Sequence, residues 1–364
     1  MAKPSGLHIL RDTGPPEGSS TYTTVVLFHG FAWHSGIFSK LVPLATEHNA
    51  RLVLVNRRDY PGATSYTPEE RAVLEDALTS DPATARGQLL AYARERAREV
   101  YTLLVQFVAD NDIPPAQPEA NEGGIVIVGW SFGTNWMTSL LANVASFPVN
   151  DVELAKYVRR VVFHDPPYHA LGFPPPADPY NPLQDPAIDP AGRTRVFANW
   201  VSGYYVHGDT LDTLERRTPL TSPPPTLSTL TDADRAAALY PAPGDPGGSD
   251  ALLLVGGIQS GLFAALFERA LALPTAQADS DGEDQVTDAW ANVEVRNVWC
   301  DRSVWEMPWS VWNLRAKLES EKKAGRALRD VTLLRLKGAN HFVHWDEPER
   351  ALAAFLASKS ETDQ

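Results

Sequence analysis

Ile125-Val126-Ile127-Val128-Gly129-Trp130-Ser131-Phe132-Gly133 sets the fold of this chain. Four apolar residues bounded by Gly123-Gly124 and Gly129 read as a short buried strand. A helical stretch follows from Phe132 to about Ser146 and is closed by Pro148. Between them lies G-x-S-x-G. A serine on a sharp strand-to-helix turn brings the flanking backbone close, so glycine is needed on either side, and the hydroxyl is left exposed above the strand. The helix amino terminus behind it favours developing negative charge. Ser131 is therefore the candidate nucleophile.

Outward from this motif, strands and helices alternate. Val25–Phe28, Leu52–Val55, Ile125–Val128, Val158–Phe163, Val293–Trp299 and Val331–Leu336 read as buried strands. A helix-like stretch covers Ile37–Glu47. A long helix covers 86–110, with Leu89, Leu90, Ala93, Ala97, Val100, Leu104 and Phe107 at helical spacing and Arg94, Glu95, Arg98 and Glu99 on its wet side. Pro308–Lys323 and Glu347–Leu356 are further helices. Such alternation predicts a mostly parallel α/β sheet flanked by helices on both faces. From Pro166 to Ala291 the pattern breaks into Pro-rich text with helical pieces at Val196–Tyr205, Asp232–Leu239 and Ala251–Leu273. We read 1–165 and 292–364 as the core and 166–291 as an inserted helical, Pro-rich cap over the carboxyl ends of the strands, where open α/β sheets bind ligands. The acidic stretch 275–289 reads as an exposed linker.

Composition narrows the function. The 364 residues carry 32 Lys and Arg against 45 Asp and Glu, a net charge of −13. That argues against nucleic acid or a polybasic membrane contact as partner. One cysteine, Cys300, rules out an internal disulfide and a Cys-rich metal site. Met1–Gly6 has no apolar core of a secretory signal, and no apolar run reaches the length of a spanning helix. The expectation is a soluble, cytoplasmic protein that needs no cofactor and no metal.

Two further motifs join the serine. His29-Gly30-Phe31 follows the strand Val25–Phe28, and a loop there can aim the Phe31 amide, with that of Phe132, at an oxyanion. His29 itself reads as a structural histidine. Gly338-Ala339-Asn340-His341-Phe342-Val343-His344-Trp345-Asp346 follows the strand Val331–Leu336 and offers His341 as the base, with His344 in reserve.

These three motifs, in this order and spacing, resemble the α/β-hydrolase fold superfamily over about residues 20–165 and 292–358. The resemblance implies an eight-stranded core sheet, a Ser–acid–His triad, an oxyanion hole and a cap domain. The acid departs from the pattern. Most relatives place it after the strand that ends the cap, but here Trp299-Cys300-Asp301-Arg302-Ser303 puts Ser303 in that seat and Asp301 early. Haloalkane dehalogenases and cofactor-free quinolone dioxygenases carry the acid after the strand that follows the nucleophile helix, where this chain has Asp165. We expect Asp165, with Asp301 and then Glu306 as alternatives.

The expected chemistry is cleavage of an ester or lactone through an acyl-enzyme, as a serine hydrolase (a carboxylic ester hydrolase). Aromatic residues near the motifs, among them Trp33, Trp130, Tyr168, Trp305 and Phe342, predict a pocket for a small, hydrophobic substrate, aromatic ones included. Two other readings stay open: a cofactor-free dioxygenase of an aromatic substrate with a His341/Asp165 base dyad, and a small-molecule receptor that keeps the triad. Arg57 and Asp59 are expected to form a structural ion pair in the loop after Leu52–Val55.

Overall fold

The computed structural model describes residues 6–149, 151–273 and 290–362; the acidic stretch 275–289 lies outside them. The strands are β1 (His8–Asp12), β2 (Thr23–Phe28), β3 (Ala50–Asn56), β4 (Ile125–Trp130), β5 (Val158–His164), β6 (Glu294–Cys300) and β7 (Val331–Leu336). They form one sheet in the order β1-β3-β2-β4-β5-β6-β7. Every neighbouring pair is parallel except β1 with β3. The sheet thus has seven strands among the described residues, where the resemblance implied eight. The antiparallel edge strand β1 carries no continuous apolar run, and three of its residues face solvent.

The central strands read as unbroken apolar runs because both sheet faces are covered. Side chains alternate across the pleat. Val26, Phe28, Val53, Val55, Ile125, Ile127, Val161 and Phe163 join one buried cluster, while Val25, Leu27, Leu52, Leu54, Val126, Val128 and Val162 join the other. On the first face lie α1 (Pro68–Asp76), α2 (Pro82–Asp110) and α3 (Thr134–Asn143). Thr67 and Glu70 close a reciprocal capping box at the start of α1, and the Asp81 carboxylate caps α2 by accepting from the amides of Ala83 and Thr84.

Between β5 and β6 the insertion carries α4 (Arg193–Val201), α5 (Thr226–Thr229), α6 (Asp232–Ala238), α7 (Ser249–Ser260) and α8 (Leu262–Leu271). Its latter part packs α8 on α3 and α7 on α2. Its middle is stitched to the loop after β2: the His34 amide donates to Ala238 O at 2.8 Å, the Tyr240 amide donates to Ala32 O at 2.9 Å, and Trp33 bridges Leu239. The chain then closes with α9 (Glu306–Lys323), α10 (Val343–Asp346) and α11 (Pro348–Leu356). Among the described residues no single helix is long and apolar enough to cross a membrane. The stretch Ala242–Ser260 passes that test only together with α8, at a bend of 79°.

Candidate active site

Register brings the sequence motifs together. Phe28 lies opposite Gly129 across β2 and β4, and Trp130 lies opposite His164 across β4 and β5. Gly30, Ser131 and Asp165 therefore all lie just beyond the carboxyl ends of neighbouring parallel strands. Ser131 has φ 54°, and Asp165 has φ 49°. Both are left-handed non-glycine positions, which persist only where the surroundings hold them.

The glycines of the turn are needed for close approach. A Cβ on Gly129 would stand 2.6 Å from Gly133 O, and one on Gly133 would stand 2.6 Å from His29 O. One on Gly30 would stand 3.0 Å from Ser131 Cβ. The serine turn and the loop after β2 are thus packed backbone against backbone, with the hydroxyl-bearing residue at the seam.

Asp165 and His341 meet. His341 Nδ1 and Asp165 Oδ2 are 2.7 Å apart, with Asp165 fully buried and His341 1% exposed. The rest of the carboxylate is also satisfied. The Cys300 amide donates to Oδ1 at 2.8 Å, and the Ser303 hydroxyl donates to Oδ2 at 2.5 Å. Ser303, in the loop after β6, thus steadies the carboxylate that follows the neighbouring strand β5. Trp130 positions the imidazole: its Nε1 donates to His341 O at 3.0 Å, and the two rings are 5.0 Å apart.

The alternative acids are bonded to other partners: Asn181 donates to Glu306, and Arg335 to Asp301. Asp301 accepts from Arg335 Nη2 at 2.6 Å, Arg335 Nε at 2.9 Å and the Gly338 amide at 2.6 Å, an ion pair at the surface. Glu306 opens α9 and faces a cavity. His344 hydrogen-bonds His164 at 3.2 Å, with the Trp130 ring 4.5 Å away. Burial holds both histidines neutral, His164 down at about 3. Asp346 accepts from Tyr204 and Thr226.

The loop after β2 rests on a charged cluster that local sequence did not reveal. Arg57 pairs with Asp250 of α7, through two bonds of 2.7 Å, instead of with Asp59, whose carboxylate accepts from the Tyr66 amide. Arg57 also donates to Gly30 O at 2.9 Å. Tyr60 donates to Asp250 at 2.6 Å and accepts from the Ala32 amide at 3.1 Å. His29 holds the same loop: Nδ1 faces Gly30 O at 3.0 Å, and Nε2 accepts from the Arg57 amide at 3.0 Å. Burial first, then the Arg57 charge, keeps it neutral, with its pKa well below the usual imidazole range. Those bonds suit a structural ring protonated on Nδ1.

Two adjoining cavities share part of their lining. The outer one has a volume of about 320 Å3 and is lined in part by Tyr168, Trp305, Phe31 and Glu306. The inner one, about 30 Å3, touches Ser131, Phe31 and Phe132. Of the aromatic residues expected to line the pocket, Tyr168 and Trp305 do so. Trp33, Trp130 and Phe342 line neither cavity. Their rings meet edge to face, with centroids 5.0 Å apart for Trp33–Phe342 and for Trp130–Phe342. All three are buried in the hydrophobic core.

The sequence profile of the alpha/beta hydrolase family matches residues 25–355. The chain belongs to the alpha/beta hydrolase family. Solved structures of similar topology include an esterase from Exiguobacterium antarcticum, at 14% identity, 97% of this chain, 96% of that chain and a TM-score of 0.45. Others are epoxide hydrolase I of potato, Solanum tuberosum (14%, 96%, 95%, TM-score 0.42), and a bromoperoxidase from Bacillus anthracis (15%, 95%, 94%, TM-score 0.41). No curated protein sequence matches.

Proposed function

We propose that this protein is a serine hydrolase that cleaves an ester or lactone of a small, hydrophobic substrate through an acyl-enzyme. The observation that carries the reading is the buried His341–Asp165 contact of 2.7 Å at the sheet edge where Ser131 is held at φ 54°. In this mechanism Asp165 fixes the tautomer of His341 and stabilises its imidazolium form. His341 takes the proton of Ser131 as Oγ attacks the carbonyl carbon. The Phe31 and Phe132 amides hold the oxyanion, each such donor being worth about 3–4 kcal/mol. The leaving alcohol collects the proton from His341. Water activated by the same ring then clears the acyl group.

A serine nucleophile supports acyl transfer. The apolar inner chamber supports a hydrophobic acyl or alcohol portion. Labelling with a fluorophosphonate tests the proposal. Ser131 is expected to be modified in the native protein and to be spared in a His341→Ala variant. A folded protein that resists the probe, or turnover that survives Ser131→Ala, would overturn it.

A further inference from the structure

The inner and outer cavities share six lining residues: Phe31, His169, Asn181, Leu183, Leu254 and Glu306. These six line both the larger cavity and the small one that touches Ser131, and so mark the region between them. Three are apolar, so the polar character of that region comes from His169, Asn181 and Glu306.

Glu306 is 4% exposed, and the Asn181 amide nitrogen donates to its Oε1 at 3.0 Å. The Asn181 carbonyl oxygen is committed to the Leu183 amide at 2.9 Å, so Asn181 aims the carboxyl and has no acceptor to spare for it. A carboxyl held this firmly in an apolar region serves no part of the Ser131–His341–Asp165 chemistry. It adds nothing to packing that a methionine would not.

We propose that Glu306, positioned by Asn181, recognises a hydroxyl group on the substrate, so that the favoured substrates are hydroxylated hydrophobic esters or lactones. The inference rests on the hydrolase reading and names its substrate class. A hydroxyl both donates and accepts, so it bonds a carboxyl in either protonation state. Burial pushes Glu306 up to about 7, against the pull of Asn181, so both states are accessible near neutrality. An ammonium group fits less well. It would lose its hydration in a region lined by Phe31, Leu183 and Leu254. It would also share the outer cavity with the Arg193 guanidinium.

The test compares p-nitrophenyl hexanoate with its 3-hydroxy, 6-hydroxy and 6-amino analogues. The wild type is expected to favour at least one hydroxy ester over hexanoate by about tenfold in kcat/KM, the worth of one well-placed hydrogen bond. That ratio should fall to near one in Glu306→Met and persist in Glu306→Gln, which still donates and accepts. Equal use of all the esters, or a preference for the 6-amino ester, would overturn the proposal. So would a hydroxy preference that Glu306→Met leaves intact.

Binding separates the two readings and leaves Glu306 untouched. Calorimetry of the Ser131→Ala protein with methyl 3-hydroxyhexanoate, methyl 6-hydroxyhexanoate and methyl hexanoate is expected to give tighter binding of a hydroxylated ligand. Equal affinities in a protein whose wild type hydrolyses hexanoate would sink the hydroxyl reading alone. Tighter hydroxy binding with no turnover of any ester by the wild type would uphold it and sink the hydrolase reading.

Discussion

Replacing Asp250 by alanine probes the loop that presents the Phe31 amide. The Arg57–Asp250 pair is nearly dry, with side chains 1% and 5% exposed. Burial opposes the Arg57 charge, but the neighbouring Asp250 carboxylate and Tyr60 raise its pKa above the ordinary value. Asp250→Ala leaves that guanidinium inside with its counter-ion gone, and breaking a buried pair from one side costs about 3–5 kcal/mol. At about 2.1 cal/mol/K of unfolding entropy per residue, a 364-residue chain loses about 4–7 °C in Tm. The Tyr60 hydroxyl that holds the Ala32 amide loses its acceptor in the same step. A displacement of about 1 Å in the loop then lowers kcat on the order of a hundredfold.

Scanning calorimetry and ester turnover read the two effects. Arg57→Met combined with Asp250→Leu removes both charges and is expected to recover most of the Tm, since an apolar pair of similar size tolerates the site. It is not expected to recover kcat, because Gly30 O is left with His29 Nδ1 alone and the Tyr60 hydroxyl has lost its acceptor. A Tm shift below about 1 °C for Asp250→Ala, or a double variant as unstable as the single one, would refute the reasoning.

Other outcomes are also expected. Asp165→Asn lowers kcat on the order of 10^4-fold while Asp301→Asn stays within about threefold, measured as steady-state ester hydrolysis; reversed losses would move the acid to Asp301. Gly133→Ala forces a Cβ against His29 O and destabilises the fold by about 1–3 kcal/mol, read as a lower urea midpoint. Acid also destabilises the protein. His164 at about 3 and His169 at about 4, with His29 and His344 well below the usual range, stay neutral when folded but take up protons unfolded below about 6.5. Stability therefore falls as pH drops from 6.5 toward 4. Glu306, raised to about 7, opposes this with one proton. Urea midpoints that stay flat from pH 6.5 to 5 would contradict the buried-neutral assignment.

The strands β2 and β4 were legible because burial on both faces writes each as an apolar run, while β5, β6 and the partly exposed β7 kept enough apolar residues to show through the polar ones. β1 was not, because a half-exposed edge strand of five residues leaves no such run. Ser131, Asp165 and His341 could be placed from motifs because each follows a strand end. The partner of Arg57 could not. Asp250 lies 193 residues away, and nothing in Asn56–Gly62 favours it over the nearer Asp59. Asn181 was hidden in Pro-rich text without periodicity, where only the path of the chain decides which side chain meets a cavity. Glu99, read as part of a wet helix face, turns inward to Arg58 of the loop after β3 and to Arg96 one turn back on its own helix. The aromatic residues misled for a related reason: closeness to a motif does not say whether a ring turns up to the cavity or down beneath the strand.

The backbone bonds that join Ala32 and His34 to Ala238 and Tyr240 have a kinetic consequence. A segment fastened to the loop after β2 by main-chain bonds does not swing aside as a free flap, since lifting it would break the pairing at Ala32 and His34. On the hydrolase reading, reactant and product would then pass through the 320 Å3 cavity rather than under a lifted flap. Turnover in such an architecture is governed by what passes through that cavity rather than by how fast a lid reopens.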